Sequence, residues 1–317
     1  MTLFLTDQDV NRLITMEMML KAIEEMQCNQ GTGKAYNLPR RVVMTNNREL
    51  ATMGGGLFYK DVFGIKTYTI VDGAYAFHVS LYDSVSGELL AFLQANRLGQ
   101  LRTGATTGLA VKYLAPAQAS TVGILGSGFQ APTQLEAISC VRNISHAQVY
   151  SPNAEHRSAF AQSMTASLGI SVTAVDYSRA LVLDNEITVC IATNTDPIVH
   201  GEWLLPGATV IGSGPANWRF PELDDSGIVK MNKIYVDSLE QAQYEAGDLS
   251  IAVSKGLIQW NQISELRHLI SGSSVARQSG KDLVYAKLMG TGVADVAAAK
   301  LVYESAIQEG VGVVMDF

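Results

Sequence analysis

The 317-residue chain has few cysteines, few charges and no long apolar run. Its three cysteines, Cys28, Cys140 and Cys190, are odd in number and far apart, so they form neither a CxxC motif nor a disulfide framework. This usage favours a reducing, cytoplasmic compartment. No apolar run approaches the ~18 residues that a membrane span needs. Asp7 and Asp9 occur too early for a signal peptide.

Basic residues are also few. Lys and Arg number 23 against 30 Asp and Glu, which gives a net charge of −7, and no basic stripe is present to neutralise nucleic-acid phosphates. The five histidines show no metal-ligand spacing, so no metal site is predicted. Apolar residues make up 47% of the chain, which is enough for a sizeable core and argues against disorder. The length corresponds to about two domains.

The most informative stretch runs from Ala119 to Ala137. A short apolar run is followed by Gly126-Ser127-Gly128-Phe129-Gln130-Ala131, the G-x-G-x-x-A form of the dinucleotide fingerprint, and then by a segment able to start a helix. The first glycine allows a tight turn, the second leaves room for a pyrophosphate, and the alanine lets helix and strand pack closely. The helix N-terminus offers N–H groups to the phosphates. A plain glycine turn would give the same letters, but the strand–helix context favours a dinucleotide site.

A strand–helix alternation continues beyond the fingerprint. The strand candidates are 121–125, 147–150, 171–175, 187–192, 208–212 and 233–237. Several are apolar on both faces, as buried parallel strands are, and helical stretches such as 154–168 lie between the first three. The pattern predicts an α/β fold with a doubly wound Rossmann sheet over residues 115–292.

The N-terminal residues follow another pattern. Thr6 and Asp9 resemble a capping box, and apolar residues keep helical spacing to about Gln27, before a Gly-rich loop over 30–37. Short β-like runs then occupy residues 39–95 and predict a meandering sheet in an α+β unit. The β-like runs are 41–44, 64–71, 78–83 and 88–93, with a hairpin turn at 84–87. Helices are predicted over 98–114 and 293–308.

The position expected to meet the adenosine ribose is Ser151, twenty residues after Ala131. NAD enzymes usually carry an acid there. Because Ser151 is followed by Asn153 and Arg157, which can bind a 2′-phosphate, NADP is favoured over NAD as the cofactor. The alternative is that Arg157 is only a solvated helix residue. Further cofactor contacts are predicted at Thr193, Asn194, Ser213 and Gly290, besides the fingerprint residues Gly126, Ser127, Gly128, Phe129 and Gln130.

Three cations of the N-terminal unit are candidate site residues. Arg41 begins a strand, Lys66 lies inside an apolar strand, and Arg102 lies near a helix start. Few acids are close to them in sequence, and buried cations need counter-charges, so an anionic ligand is a candidate partner. Taken singly, a lysine at a strand edge or an arginine extended over the surface is the simpler interpretation of each.

The chain resembles the ornithine cyclodeaminase/mu-crystallin family over nearly its whole length. The resemblance rests on Pro39-Arg40-Arg41, Gly64-Ile65-Lys66, Leu101-Arg102-Thr103-Gly104-Ala105, the fingerprint at 126–131, Val236-Asp237-Ser238, Glu245-Ala246-Gly247-Asp248-Leu249 and Asp295. The Leu-Arg-Thr-Gly-Ala run followed by Gly-x-Gly-x-Gln-Ala is quite specific. The resemblance implies a homodimer. It also implies a substrate-binding and dimerisation domain, made of 1–114 with 293–317, around an inserted Rossmann domain of 115–292.

The resemblance further implies roles for individual residues. Arg41 and Arg102 match carboxylate-binding arginines, and Lys66 matches a lysine beside the reacting carbon that can bind the carboxylate and donate a proton. Arg102 and Thr103 would also lie near the cofactor phosphates. Family activities include cyclodeamination of ornithine, redox chemistry on amino acids such as alanine, reduction of ketimines and other imino acids, opine-like condensations, and thyroid-hormone binding by mu-crystallin.

Two departures from the cyclodeaminases favour reductive chemistry. Ala51 stands where they carry a glutamate, and the run 212–217 lacks their aspartate after the fifth nucleotide strand. A cyclodeaminase needs such carboxylates for proton transfer, whereas imine reduction needs a cofactor, a carboxylate clamp and one proton donor. We therefore predict NAD(P)H-dependent reduction of a small carboxylate-bearing imino acid (ketimine), or the reverse amino-acid dehydrogenation. The alternatives are an ornithine- or lysine-type cyclodeaminase that releases ammonia, and a non-catalytic NADPH- and ligand-binding protein of the mu-crystallin type.

Overall fold

The computed structural model describes residues 1–316 and divides the chain into two compact units. Unit 1 contains residues 1–102 with 290–316, and unit 2 contains residues 103–289. The division falls inside the helix Asn96–Leu114. The sequence pattern placed it after residue 114, where that helix ends, because a continuous helix gives no local sign of a change of unit.

The regular elements are numbered here in chain order. The strands are β1 (Thr2–Leu5), β2 (Ala35–Thr45), β3 (Arg48–Leu57), β4 (Val62–Val71), β5 (Ala74–Asp83), β6 (Leu89–Gln94), β7 (Thr121–Leu125), β8 (His146–Tyr150), β9 (Ser171–Ala174), β10 (Ile187–Cys190), β11 (Thr209–Gly212), β12 (Lys233–Val236), β13 (Ile263–Glu265), β14 (Val284–Lys287) and β15 (Val313–Met315). The helices are α1 (Asp7–Leu13), α2 (Met16–Gly31), α3 (Asn96–Leu114), α4 (Ala131–Val141), α5 (Ala154–Leu168), α6 (Ser178–Asp184), α7 (Asp225–Lys230), α8 (Leu239–Glu245), α9 (Gly247–Ser254), α10 (Leu266–Ile270) and α11 (Gly292–Glu309).

Unit 1 is built on a mixed seven-stranded sheet in the order β15-β1-β6-β5-β4-β3-β2. The β1–β6 pair is parallel and the other pairs are antiparallel, which matches the predicted meander. Helix α11 lies directly on β3, because a Cβ atom at Gly55 would stand only 2.5 Å from the Cα of Val293. The run Gly54-Gly55-Gly56 therefore belongs to a strand, although its composition is typical of a turn.

The N-terminal segment with helical spacing, which the sequence extends to about Gln27, forms two helices, α1 and α2. Thr6 and Asp9 form the predicted capping box at the start of α1. The chain is extended at Ile14, and the hydroxyl of Thr15 then accepts from the backbone N–H of Met18 to cap α2. Helix α2 runs on to Gly31, so the predicted loop from residue 30 is shorter than expected.

Unit 2 confirms the predicted Rossmann architecture. All eight strands of its sheet are parallel, in the order β13-β12-β14-β11-β10-β7-β8-β9. Two of them, β13 and β14, were not predicted, because each is short and β14 ends in a lysine. The strand order reverses between β7 and β10, and a crevice for a nucleotide is expected outside the carboxyl ends of these two strands.

Two kinds of feature are missing from residues 1–316. No helix there has the length and apolar character to cross a membrane. No group of three or more His, Cys, Asp or Glu side chains is placed to hold a metal ion. None of the three cysteines forms a disulfide bond, and Cys190 is buried.

Candidate active site

Lys66, Arg102 and Asp295 form a buried ion cluster in unit 1. The Asp295 Oδ1 atom accepts from Lys66 Nζ at 3.1 Å and from Arg102 Nε at 2.8 Å. The three residues are 3%, 7% and 0% exposed. Strand β4 supplies the lysine, α3 the arginine and the first turn of α11 the aspartate. Two cations share one carboxylate, so the cluster keeps a net positive charge.

Asp295 corrects one expectation from the sequence. Lys66 and Arg102 were expected to lack a protein counter-charge because few acids are near them in the chain. Asp295 supplies that counter-charge from 229 and 193 positions away. The remaining positive charge still leaves the cluster able to attract one anionic group.

The environment of Lys66 suits a proton donor. Burial lowers the pKa of its ammonium to about 8; Asp295 opposes this shift, and Arg102 and Arg40 add to it. The ammonium lies 5.0 Å from the ring centre of Phe77 and 5.9 Å from that of Tyr68. A lysine with a pKa near the working pH can release a proton during a reaction.

Arg40, and not Arg41, lies on the side of the sheet that carries Lys66. A bulge in β2 sets Pro39 and Arg40 opposite the single residue Met53, and Met53 pairs with Lys66. The half-buried Arg40 places Nη2 3.8 Å from the Met53 sulfur. Arg41 is exposed, and its Nη1 donates to the carbonyl oxygen of Arg40. The structure therefore does not bring Arg41 together with Lys66 and Arg102.

Gly290 lies against the Arg102 guanidinium in unit 1. Its φ of +78° favours glycine, and a Cβ atom there would stand 2.5 Å from Arg102 Nη1. The sequence had assigned Gly290 to the cofactor. In the structure this glycine makes room for the Arg102 side chain at the entry to α11.

Unit 2 has an open cavity of about 530 Å³ at the carboxyl ends of its central strands. Residues 125–128, 150–153 and 191–194 contribute to its lining, and they lie at or directly after the carboxyl ends of β7, β8 and β10. This is the crevice that the reversal of strand order predicts for a nucleotide.

The fingerprint residues have the geometry that a dinucleotide requires. Gly126 has a φ of +121°, and a Cβ atom on it would stand 2.7 Å from the carbonyl oxygen of Ile191. A Cβ atom on Gly128 would meet nothing within 4 Å, so the space above this residue is open for a pyrophosphate. Ala131 is fully buried at the start of α4. These residues fit an NAD(P) molecule.

The predicted cofactor residues divide into two groups. Those that line the cavity are Gly126, Ser127, Gly128, Ser151, Asn153, Thr193 and Asn194. Of the others, Phe129 is 61% exposed, Gln130 precedes α4, and Thr103 lies on α3. Ser213 is buried, with its Oγ 3.0 Å from the Oγ of Thr107.

Hydrogen bonds connect the polar groups at the position that is predicted to meet the ribose. The Ser127 hydroxyl donates to Ser151 Oγ at 2.9 Å, and Ser151 donates to the Asn153 carbonyl oxygen at 3.1 Å. Arg157 Nη1 donates to the Ser151 carbonyl oxygen at 2.9 Å, and its Nη2 pairs with Asp176 at 2.5 Å. The guanidinium is thus fixed beside the end of β8, although it does not line the cavity.

Unit 2 contains a second buried ion cluster, to which the sequence assigned no role. Lys287 at the end of β14 pairs with Glu222 and lies 3.6 Å from Asp248. Glu222 accepts from the Gly214 N–H at 2.9 Å, and Lys287 Nζ donates to the Pro215 carbonyl oxygen at 3.4 Å. The cluster therefore holds the loop that follows β11. A lysine inside the short apolar run Val-Tyr-Ala-Lys was the signal that could have indicated it.

Comparisons with known proteins identify the family of the chain. The family model described as "Ornithine cyclodeaminase/mu-crystallin family" matches residues 1–310. The chain is 36% identical over 240 residues to a Delta(1)-pyrroline-2-carboxylate reductase of Bacillus cereus, covering 75% of this chain and 74% of that protein.

Two solved structures are similar over nearly the whole chain. The Delta(1)-pyrroline-2-carboxylate reductase of Thermococcus litoralis, in complex with NADH and L-proline, is 30% identical with a TM-score of 0.95, covering 99% of this chain and 100% of that one. An archaeal alanine dehydrogenase dimer with bound NAD is 31% identical with a TM-score of 0.93, covering 100% and 99%. The chain therefore belongs to the ornithine cyclodeaminase/mu-crystallin family and is an NAD(P)-dependent oxidoreductase of that family.

Proposed function

We propose that this protein reduces a carboxylate-bearing imino acid to the corresponding amino acid, and catalyses the reverse dehydrogenation when oxidised cofactor is supplied. The observation that carries the proposal is the buried cluster of Lys66, Arg102 and Asp295, whose net positive charge one substrate carboxylate would neutralise. The relative from Thermococcus litoralis, with L-proline and NADH bound, supports the same class of substrate.

Two arginines are proposed to hold the substrate carboxylate. Arg102 is fixed through Nε by Asp295. Arg40 lies on the same side of the sheet as Lys66, so we assign it the role that the sequence resemblance gave to Arg41. Arginine suits this task because its planar group can donate two parallel hydrogen bonds to a carboxylate.

Lys66 is proposed to supply the proton of the reaction. Reduction of a C=N bond adds one hydride to carbon and one proton to nitrogen. The reduced nicotinamide, when bound, supplies the hydride. Lys66 gives its proton to the imine nitrogen and becomes neutral, and its pKa of about 8 makes this transfer accessible near neutral pH.

NADPH is the proposed preference over NADH. Ser151 leaves the ribose position without an acid, and Arg157 lies beside it. Asp176 is 76% exposed at its side chain, so it can turn towards solvent and leave Arg157 to a 2′-phosphate. The ratio of kcat/KM for NADPH to that for NADH should exceed one, and Arg157→Ala should lower it about tenfold. A wild-type ratio of one or less would contradict the preference for NADPH, and an equal ratio in wild type and Arg157→Ala would contradict the role of Arg157.

The site gives little support to cyclodeamination. The buried Ala51 supplies no carboxylate, and Asp295 Oδ1 already accepts from two cations. The run 212–217 contains no acid. We therefore expect no ammonia and no proline or pipecolate from ornithine or lysine.

We also propose a homodimer formed through the outer face, the side of the unit 1 sheet that points away from α11. Strand alternation and register place five exposed apolar residues on this face. The five residues are Tyr36, Leu38, Val43, Leu50 and Phe63, each 44% to 63% exposed. A contiguous exposed apolar surface is typical of a protein contact, and an archaeal relative is a dimer.

The central test is oxidation of NADPH followed by its absorbance. Candidate substrates are cyclic ketimines, pyruvate with ammonia or methylamine, and iminosuccinate precursors. We expect turnover with at least one of them. Binding of NADPH without turnover of any of them would contradict the proposal and favour a binding protein that stores cofactor and ligand.

A further inference from the structure

We propose that Asp295 is a positioning residue for imino-acid reduction, which holds Lys66 and Arg102 in place and keeps Lys66 in its proton-bearing form. The inference rests on the proposed function, because it concerns the lysine that donates the proton. It requires no contact between Asp295 and the substrate.

The geometry makes Asp295 the link between the two cations. One oxygen, Oδ1, accepts from Lys66 Nζ and Arg102 Nε, so movement of the carboxylate would move both groups. Asp295 lies in the first turn of the 18-residue helix α11, and its N–H donates to the Thr291 carbonyl oxygen. The positive end of the helix dipole is a favourable place for a carboxylate.

The other groups around Lys66 do not take over this role. Arg102 faces it from α3 and Arg40 from β2, and both arginines destabilise a second positive charge. Its uncharged neighbours include Met53 on β3 and the rings of Tyr68 on β4 and Phe77 on β5. Asp295 opposes the burial and the arginines, both of which lower the lysine pKa. Without its charge, Lys66 would lose its proton at a lower pH.

Charge and hydrogen bonding can be separated at this position. The Asp295 Oδ2 atom is buried, and no described residue donates to it. In Asp295→Asn the amide oxygen can keep the place of Oδ1, and the NH₂ group can take the place of Oδ2 without meeting a donor. The substitution therefore removes the negative charge and retains the accepting oxygen.

The kinetic experiment compares kcat/KM against pH in three proteins: wild type, Asp295→Asn and Glu304→Gln. Glu304 is the matched control, because it is a carboxylate on the same helix that pairs with Lys300. We expect the alkaline loss of activity to begin about one pH unit lower in Asp295→Asn than in the other two. At about pH 6 the kcat/KM of the variant should stay within about threefold of wild type, and at about pH 8.5 it should fall about eightfold further below wild type. A purely structural role would lower activity by the same factor at every pH.

A second readout does not depend on turnover. In protein labelled with ¹³C-lysine, the Cε resonance of Lys66 is assigned by its loss in Lys66→Arg. Its titration midpoint should be near 8 in wild type and in Glu304→Gln, and about one unit lower in Asp295→Asn. An unchanged midpoint in Asp295→Asn would overturn the inference. Absence of turnover in wild type together with a shifted midpoint would instead contradict only the proposed function.

Arg102→Gln provides a test with the opposite sign if Asp295→Asn does not fold. Removing one of the two cations that share Asp295 leaves the carboxylate to Lys66 alone. The Lys66 midpoint should then rise above its wild-type value. A midpoint that stays in place would show that the charges gathered on Asp295 do not control the protonation of Lys66, and would overturn the inference.

Discussion

Arg40 and Arg41 are adjacent in the chain, yet the bulge in β2 gives them different surroundings. We expect Arg40→Ala to raise KM for the imino acid about tenfold or more, because a charge-assisted hydrogen bond contributes about 1.5–3 kcal/mol. Arg41→Ala should stay within about twofold of wild type, since Arg41 is exposed and does not approach Lys66. Steady-state kinetics at saturating cofactor measure both. A larger effect of Arg41→Ala would contradict the assignment of Arg40.

Lys66 and Arg102 should differ in their kinetic effects. Arg102→Leu is expected mainly to raise KM, because the substrate carboxylate is present before and during the reaction. Lys66→Met is expected mainly to lower kcat, because proton donation matters in the transition state. Equal effects of both variants on KM alone would assign both residues to binding.

The same variants test how the cluster stabilises unit 1. Removal of a buried cation that lacked a protein counter-ion would increase stability. Asp295 changes this expectation. Each substitution leaves Asp295 with one cation. Arg102→Leu removes the closer donor to Asp295, at 2.8 Å, and should cost about 1–3 kcal/mol. Lys66→Met removes the donor at 3.1 Å, whose charged form burial already disfavours, and should change stability little. Urea denaturation measures the difference, and a gain in stability for Arg102→Leu would contradict it.

Stability should depend on pH through Lys66 in the opposite direction to activity. Burial holds the folded-state pKa at about 8, below the ordinary value of 10.5. Between these two values the unfolded chain binds more protons than the folded chain, so stability rises with pH in this window. The free energy of unfolding of wild type, relative to Lys66→Met, should therefore increase from pH 8 to 10.5. A constant difference between the two proteins would indicate that Lys66 does not titrate there.

At the scale of elements, strand β14 carries a buried charge at its carboxyl end, inside the parallel sheet. Burial acts to lower the pKa of Lys287, but Glu222 and Asp248 outweigh it and the pKa is raised. The lysine is therefore held in its charged form. It pairs with Glu222, which supports the backbone after β11, so one ion pair connects two neighbouring strands.

Lys287→Met should destabilise the protein strongly. It leaves two buried carboxylates without their cation, which costs about 3–5 kcal/mol. Lys255→Met is the matched control, since Lys255 pairs with Asp225 at the surface and the loss of an exposed pair costs about 0–1 kcal/mol. Denaturant unfolding of both variants gives the comparison. Equal small losses would mean that the Lys287 cluster contributes little.

At the scale of the whole molecule, the outer face should control assembly. Leu38→Lys and Phe63→Lys together place two charges on it, and sedimentation velocity should show a shift from dimer to monomer. Val229→Lys, which adds a charge at an exposed apolar residue of α7, should remain a dimer. A wild type that is monomeric at micromolar concentration would contradict the proposed interface.

The sequence by itself determined those features that depend on neighbouring residues. The fingerprint at 126–131 requires a small residue at each critical backbone position, and the structure confirms the strand, turn and helix around it. The parallel sheet was predictable because strands buried on both faces must be apolar throughout. The capping box of Thr6 and Asp9 is likewise complete within one helical turn.

Only the tertiary structure decided the composition of the charged site. Asp295 meets Lys66 across 229 positions, and no spacing in the chain encodes which distant segments will pack together. The choice of Arg40 depends on one extra residue in a bulge, because a shift of one residue turns a side chain to the other face of a sheet. The glycines of β3 lie in a strand, and their lack of side chains lets α11 approach and carry Asp295 to the lysine.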